Sequence, residues 1–307
     1  MSQRSPYVFV GSATWDTIAL VHELPARDTR VEALEIVCAG GGPAATAAVT
    51  AARLGVPDVH FVGTVGSDES AEQIMAGLAD AGVNVAGVMH SAIEPSGQSV
   101  VLVESAHGSR SIVNRPSPGL DLSARPDVAE LIASAAWVHT DHIGIGGVRR
   151  VLRGSGAGPR LSVDGGNPIA GFTPVGVELD VPTERALRLR YPGTDPDLDD
   201  LLGAAVHDGA RTVVVTRGAE GSAGASGDTF EVASAVSVEA RSTLGAGDVF
   251  HGALLAAVIR GEPLAGCLTY ANTVAAMSCR GLDGRSAIPT HDEAVAFTPS
   301  TEARRVQ

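Results

Sequence analysis

The sequence predicts an α/β fold in which a mostly parallel central sheet carries helices on both faces and a small β-sheet forms a lid. Short apolar stretches, typical of buried strands, alternate with helical patterns along most of the chain. The stretch 211–216, Arg-Thr-Val-Val-Val-Thr, is the clearest of these strands. Two segments, at about 14–40 and 96–116, stand outside the alternation and predict the lid. We therefore expect a single domain over residues 1–307.

Glycine and proline mark the limits of most predicted elements. Pro43 fits the first turn of an Ala-rich helix, and Gly55 fits the position just past its end. The stretch 30–38 alternates in polarity as a half-exposed strand does, and residues 105–109 predict a hairpin turn. Strands are predicted at 7–12, 30–38, 59–63, 98–103, 110–114, 136–140, 160–164, 176–179 and 211–216, with a short hairpin over 222–240. Helices are predicted at 44–54, 69–81 and 263–280, after residues 128, 140, 164, 183 and 195, and between 248 and 261.

Composition limits the partners and the compartment that we expect. The 307 residues carry a net charge of −13, whereas nucleic acid and anionic membranes select proteins with a basic surface. We therefore expect neither of them as a partner. No apolar run of about 18 residues predicts a membrane span, and the first residues lack the apolar core of a signal peptide. The three cysteines show no pairing or metal-binding motif, which predicts a cytoplasmic protein with reduced thiols.

All 22 basic residues are arginine, and the sequence contains no lysine. This excludes a GxxxxGK[ST] phosphate loop, a lysine Schiff base and a lysine general base. Positive charge in any active site must then come from arginine, from backbone amides or from a metal ion.

The stretch Gly245-Ala246-Gly247-Asp248 is the strongest candidate for chemistry. A glycine-rich turn that opens a helix presents free backbone N–H groups, which favour anionic phosphate oxygens. Asp248 is itself an anion, so its presence there predicts a general base that takes a proton from an attacking hydroxyl. The alternative is that Ser242 or Thr243 caps a core helix and Asp248 only favours the helix dipole.

Other polar residues are weaker candidates on position alone. Asp16 follows the first strand and could accept hydrogen bonds from substrate hydroxyls, although position alone favours an ordinary loop aspartate. Arg30, on the predicted strand 30–38, would read an anionic substrate group if it pointed inward. His251 lies three residues after Asp248, so it can share the same helix face, where it either tunes the carboxylate or packs beneath it.

Three glycine elements occur in one order: Gly41-Gly42 before the Ala-rich helix, Thr216-x-Gly218-x-x-Gly221 after a strand, and the 245–248 turn. Together they resemble the ribokinase-like (PfkB) carbohydrate kinase family, over about residues 7–289. The strings Gly-Gly-Gly-Pro-Ala-Ala-Thr-Ala-Ala-Val, Asn-Arg-Pro-Ser-Pro and Gly-Asp-Val-Phe-His-Gly-Ala-Leu resemble most the branch that contains 6-deoxy-6-sulfofructose kinase. The resemblance implies a three-layer α/β/α ribokinase-like fold with a β-sheet lid.

The resemblance also implies an activity, which is transfer of the γ-phosphoryl group of ATP to a primary hydroxyl of a small sugar. ATP and Mg²⁺ are the implied cofactors, and a monovalent cation is a further candidate. Asp248 would be the base, and the amides of Gly245, Ala246 and Gly247 would form the anion hole. The residues implied to hold the sugar are Asp16, Gly41, Gly42 and Asn114. Those implied to line the nucleotide are Thr216, Gly218, Gly221, Thr243 and Asn272, and Glu184 is the candidate metal ligand.

The sequence departs from the family pattern at three places. Ser242 stands where the family usually has aspartate, residues 183–186 replace the Asn-x-x-Glu motif, and Gly42-Pro43 replaces glycine followed by asparagine. Two alternatives therefore remain, a nucleoside or other non-sugar kinase and a non-catalytic ligand-binding protein on the same fold. A sugar with an anionic group is one of the expected substrates, and we expect a homodimer that pairs through the lid.

Overall fold

The structure is a computed structural model that describes residues 5–106, 109–153, 158–193 and 196–297. The strands are β1 (Tyr7–Val10), β2 (Thr14–Val21), β3 (Ala33–Gly41), β4 (Val59–Val62), β5 (Thr64–Val65), β6 (Met89–His90), β7 (Gly97–Glu104), β8 (Arg110–Arg115), β9 (Trp137–Thr140), β10 (Arg160–Gly165), β11 (Leu179–Pro182), β12 (Thr212–Thr216), β13 (Ser222–Ser226) and β14 (Thr229–Ala233). The helices are α1 (Pro43–Arg53), α2 (Glu69–Asp80), α3 (Pro126–Ala133), α4 (Ile145–Leu152), α5 (Glu184–Arg190), α6 (Leu198–His207), α7 (Ala246–Arg260), α8 (Leu264–Ser278) and α9 (His291–Ala296).

The central sheet has eight strands in the order β14-β13-β12-β11-β10-β9-β1-β4. The six strands from β12 to β4 pair in parallel, and the β13–β14 hairpin adds two antiparallel strands at one edge. This confirms the predicted mostly parallel sheet. Because the carboxyl ends of parallel strands meet at one edge, the residues that follow β1, β9, β10 and β12 lie together there.

The helices cover both faces of this sheet. Phe9 belongs to the apolar cluster that includes α1, α2, α7 and α8, whereas its neighbours Val8 and Val10 belong to the cluster of α3 and α4. Side chains alternate between the faces of a strand, so β1 contacts two different helical layers. α1 and α7 approach closely, since a Cβ on Gly252 would lie 2.4 Å from the carbonyl oxygen of Ala47. Small residues on both helices permit this approach, which brings their first turns to the same edge of the sheet.

A second sheet, which we call the lid sheet, has the strand order β3-β2-β7-β8. β2 pairs in parallel with β7, and the two outer pairs are antiparallel. On its inner face Ile18, Val101 and Val103 pack against Leu282 and the partly buried Leu244, so the lid sheet rests on the segment before α7. The predicted hairpin turn includes His107 and Gly108, which lie outside the described residues.

Some predicted elements differ from the structure. The strand predicted at 30–38 begins at residue 33, so Arg30 lies in an exposed loop before β3. The helix expected after residue 164 does not form, since residues 166–178 contain two prolines and the left-handed Gly171 and Gly176. β2 had no strand prediction because it does not alternate cleanly in polarity. α9 was also missed, although Thr290 and Glu293 form a capping box that is visible as Thr-x-x-Glu. Within the described residues no helix is both long and apolar enough to cross a membrane.

Candidate active site

The 245–248 turn lies between two cavities. Gly245 is left-handed (φ 73°) and is the residue just before α7, whose third residue is Asp248. Gly245 and Asp248 line a small cavity of about 40 Å³ under the lid sheet. Ala246 and Gly247 line a larger cleft of about 900 Å³. One turn of chain therefore faces both the space under the lid and the larger cleft.

Neither Ser242 nor Thr243 caps α7, so that part of the alternative interpretation is wrong, while the suggestion that Asp248 only favours the helix dipole stays untested. No side chain caps α7, because the Ser242 hydroxyl accepts from the Leu244 amide (3.1 Å) and the Thr243 hydroxyl accepts from Arg110 (2.8 Å). Ala246 N–H donates to the Thr243 carbonyl at 3.3 Å, whereas the N–H groups of Gly245 and Gly247 have no acceptor among the described residues. Free amides at a helix start favour an anion.

Consecutive glycines form one wall of the small cavity, and each allows a different close contact. A Cβ on Gly41 would lie 2.1 Å from Oδ2 of Asp16, and a Cβ on Gly42 would lie 2.5 Å from the Ser12 carbonyl oxygen. Gly42 is also left-handed (φ 89°) and precedes α1. Asp16, on β2, is 7% exposed. Burial raises its pKa above the usual value, and the opposing effects of Thr14, Ser99 and Arg285 are smaller. This carboxylate is thus held against the glycine wall.

Asp141 fixes the edge of the sheet beneath the cavity. Its fully buried carboxylate accepts backbone N–H groups of Ser12 (2.7 Å), Ala44 (3.3 Å), Ile143 (2.9 Å) and Gly144 (3.1 Å). These four bonds join the end of β1, the start of α1 and the loop after β9. Sequence reasoning assigned it no role, because four partners from three segments leave no local pattern.

The electrostatics of Asp248 suit a general base. Burial and the nearby Asp164 and Asp141 carboxylates raise its pKa to about 7, while His251 and Arg285 oppose the rise. A carboxylate with a pKa near the working pH accepts a proton readily, and about half of it is already ionised at that pH. The side chain lies partly exposed, lining the small cavity.

A buried ion pair lies beneath Asp248. Nε2 of His251 lies 3.2 Å from Oδ1 of Asp164, and each side chain is 6% exposed. Burial opposes the ionised form of both groups, but their mutual contact lowers the pKa of Asp164 to about 2 and raises that of His251. His251 therefore packs beneath the 245–248 turn, and its charge lowers the pKa of Asp248, so the two roles that its spacing suggested are compatible with each other.

The larger cleft contains all five residues predicted to line the nucleotide. Thr216 ends β12, and Gly218 and Gly221 follow with φ of 58° and 91°. A Cβ on Gly221 would lie 2.1 Å from the Ala233 carbonyl oxygen, so only glycine fits there. The Asn272 amide donates to the carbonyls of Ala233 (3.0 Å) and Ser234 (3.1 Å). It thereby fixes one wall of the cleft.

Glu184 also lines this cleft, but arginines hold its carboxylate. Oε1 accepts from Arg188 (2.9 Å) and Oε2 accepts from Arg217 (2.8 Å), and both contacts lower its pKa. A metal ion at Glu184 would share these two oxygens with Arg188 and Arg217, whose positive charges oppose its binding. Its role as a metal ligand stays a prediction.

Two predicted sugar contacts do not line the small cavity. Asn114 lies on β8, in the row of the lid sheet that runs from Asp16 through Ser99, whose hydroxyl contacts it at 3.3 Å. Arg30 lies in the loop before β3 and is exposed. Sequence reasoning missed Arg285, whose guanidinium contacts Gly41 and Thr46 in the cavity wall. It belongs to no recognised motif.

Comparison with known proteins assigns this arrangement to a family. The model of the pfkB family carbohydrate kinases matches residues 6–151 and 178–291. A ribokinase from Arabidopsis thaliana is 28% identical over 291 residues, covering 89% of this chain and 75% of that protein. An ATP-dependent ribose-1-phosphate kinase from Halopiger xanaduensis is 26% identical, covering 94% and 96%.

A solved structure also matches. The Escherichia coli putative ribokinase II in complex with ATP and Mg²⁺ superimposes with a TM-score of 0.81 at 20% identity, covering 95% of this chain and 98% of that one. At this identity the match shows the fold alone. The family model, however, covers most of the chain, including the 245–248 turn and both cavities' main residues. The chain therefore belongs to the pfkB family of carbohydrate kinases and has the ribokinase-like α/β fold.

Proposed function

We propose that this protein transfers the γ-phosphoryl group of ATP to a primary hydroxyl of a small sugar or sugar derivative. One observation carries the proposal: Asp248, with a pKa of about 7, lines the cavity under the lid, while the adjacent amide turn lines the larger cleft. An acceptor hydroxyl on one side and a phosphate on the other would meet at this turn.

In the proposed reaction the acceptor hydroxyl donates its proton to the Asp248 carboxylate as its oxygen bonds to the γ-phosphorus. The bond from that phosphorus to the β,γ-bridging oxygen breaks, and ADP leaves with the bond's electron pair. The free N–H groups of Gly245 and Gly247 would hold the phosphoryl oxygens, an interaction that is strongest where charge develops. Since the chain lacks lysine, these amides carry much of that role.

Bound Mg²⁺ would neutralise charge on the nucleotide phosphates. Glu184 is the carboxylate of the larger cleft that would hold it, although Arg188 and Arg217 already donate to its two oxygens. The monovalent cation stays a prediction, as does the cytoplasmic location.

The small cavity has too little room for a sugar in this structure. Its volume of about 40 Å³ is far below the roughly 300 Å³ at the low end of small-molecule sites. We infer that the structure shows the lid sheet closed, and that the sugar enters when β2, β3, β7 and β8 lift from Leu244 and Leu282.

Two observations concern the chemical class of the sugar. A substrate with an anionic group is supported by the resemblance to the sulfofructose kinase branch and by the Halopiger relative, which is named for a phosphorylated sugar. The exposed position of Arg30 speaks against Arg30 as the residue that reads such a group.

The test is ADP release with ATP and Mg²⁺ across a panel of neutral sugars, sugar phosphates, sugar sulfonates and nucleosides. We expect turnover with a sugar or sugar derivative, and little with nucleosides, since few aromatic side chains are available to stack a base. Preference for nucleosides would favour the non-sugar kinase, and no ADP release with any acceptor would favour a binding protein.

We also propose a homodimer that pairs through the outer face of the lid sheet. Leu34, Ile36, Val100 and Val113 are 62%, 64%, 52% and 75% exposed. Val100 and Val113 are paired across β7 and β8 and so lie on one face. A patch of exposed apolar side chains favours burial against a second copy.

A further inference from the structure

Arg285 lies in the loop after α8, and this loop is built against the 245–248 turn. Asp283 holds the loop, because its Oδ1 accepts the backbone N–H groups of Arg285 and Ser286, both at 2.7 Å. A Cβ on Gly245 would lie only 2.8 Å from Cα of Gly284, so the two backbones touch. The position of Arg285 is therefore set relative to the catalytic turn.

The Arg285 guanidinium reaches from this loop to the glycine wall of the small cavity. Nη2 donates to the Gly41 carbonyl oxygen at 2.7 Å, and Nε donates to the Thr46 hydroxyl at 3.1 Å. Nη1 packs against Gly40, where an added Cβ would lie only 2.4 Å from it. One side chain thus joins the end of β3 and the first turn of α1 to the loop that supports Asp248.

Three nearby carboxylates compensate for the positive charge of Arg285 without contacting it directly. Among the described residues no carboxylate oxygen lies within 4.0 Å of the guanidinium, yet the charges of Asp16, Asp248 and Asp283 all act on it. Burial lowers the pKa of Arg285 to about 10, so the side chain stays charged at neutral pH. Arg285 is half-buried, and a cation that has lost part of its hydration without a direct ion pair is unfavourable unless nearby anions compensate.

The same charge acts on both carboxylates of the cavity. Asp248 is faced by Asp164 on β10, Asp141 after β9, and His251 on its own helix, as well as by Arg285. Asp16 is faced by Arg285 and by the hydroxyls of Thr14 and Ser99. An incoming phosphoryl group adds further negative charge to a cavity that already contains two carboxylates.

We propose that Arg285 is a positioning residue for phosphoryl transfer: it ties the base of the lid sheet to the catalytic turn and is the fixed counter-charge for Asp16 and Asp248. The inference rests on the proposed function, because it concerns the base of that reaction. The planar guanidinium reaches two acceptors at once, which a lysine ammonium would not do with the same geometry.

The test compares Arg285→Gln, Arg285→Lys and the matched control Arg280→Gln, with the pH profile of kcat/KM for the acceptor as readout. Arg280 is exposed, near the start of the same loop, and lies over the Phe297 ring instead of the cavity. We expect Arg285→Gln to move the acid limb of the profile to higher pH. Its kcat/KM should be about tenfold below the wild-type value at pH 6.5, and this difference should shrink above pH 8. Arg285→Lys should keep the acid limb near its wild-type position, but its kcat/KM should be about threefold lower at all pH values. Arg280→Gln should match the wild type.

A second variant perturbs the guanidinium without removing it. Gly40→Ala places a Cβ against Nη1, with no backbone atom of another segment among its three nearest neighbours. We expect it to shift the acid limb in the same direction as Arg285→Gln, and the double variant to show much less than the product of the two effects. This variant also serves if Arg285→Gln does not fold.

The outcomes separate this inference from the proposed function. Wild-type turnover with an unshifted acid limb in both Arg285→Gln and Gly40→Ala would overturn the role of Arg285 and leave the kinase assignment in place. A loss confined to anionic acceptors would show that the guanidinium binds the substrate's own anion, which would also overturn it. Absence of turnover in the wild-type protein would remove both proposals together.

Discussion

At pH 6 the rate of acceptor phosphorylation at low acceptor concentration should be about one tenth of the rate at pH 8. The reason is the Asp248 pKa of about 7, raised mainly by burial and by Asp164. Only an ionised carboxylate accepts the proton, and a group with this pKa is about 9% ionised at pH 6 and about 91% ionised at pH 8. The perturbation is pH itself, and kcat/KM for the acceptor is the quantity that reports the free enzyme.

The assay is coupled ADP release at saturating ATP and Mg²⁺ between pH 5.5 and 9. Nucleotide phosphates titrate in part of this range, so the residual rate of Asp248→Asn over the same range provides the correction. Asp164→Asn is the matched variant. It removes the charge that contributes most to the raised pKa of Asp248, so its acid limb should move to lower pH.

Two results would refute this reasoning. One is an acid limb with its midpoint below pH 5, which would show that the carboxylate is solvated in the working enzyme. The other is an Asp164→Asn limb that coincides with the wild type, which would show that the pair beneath Asp248 does not act on it.

Three further predictions concern stability, the turn and assembly. The pKa of Asp248 is raised in the folded state, so its protonated form contributes stability that is fully present below about pH 4 and is lost as pH rises through about 7. Asp248→Asn should therefore raise the melting temperature at pH 8. The gain in unfolding free energy should be about 1–2 kcal/mol, a figure that allows for the partial exposure of the side chain. Gly245→Ala should lower kcat about 100-fold and lower the melting temperature, since φ is 73° and its Cβ meets Gly284 at 2.8 Å; Gly247→Ala, with open space around it, should melt like the wild type. Val113→Glu should convert the proposed dimer to a monomer in size-exclusion chromatography, while Val295→Glu, at a position on α9 that is 65% exposed, should not.

Much of the fold was predictable because its signals are local. Pro43, Gly55, Gly82 and Gly261 mark helix ends by backbone geometry alone, and each lies at or next to such an end in the structure. The apolar strand 212–216 is buried in the sheet as its composition requires. β2 escaped prediction because its partners lie far along the chain in β3 and β7, and its polarity pattern reflects both lid faces.

The site was predictable where glycine motifs carry it and not where distant residues complete it. The 245–248 turn, Gly41 and Gly42 are recognisable in sequence, since close backbone approach leaves glycine as the suitable residue. Asp141 and Arg285 are not, because the partners that tie them to the site, Ser12 and Ala44 for Asp141 and Gly41 for Arg285, lie 97 to 244 positions away. Arg30 illustrates the converse error, since a strand prediction that began three residues early assigned an exposed loop arginine to the lid strand.

The measurement that tests the central claim most directly is single-turnover phosphoryl transfer by Asp248→Asn, with ATP affinity determined on the same sample. If Asp248 is the base, the rate of the chemical step should fall about 10²- to 10⁴-fold while ATP binds with nearly unchanged affinity. A chemical step within about threefold of the wild-type rate would contradict the assignment of Asp248 and the mechanism built on it.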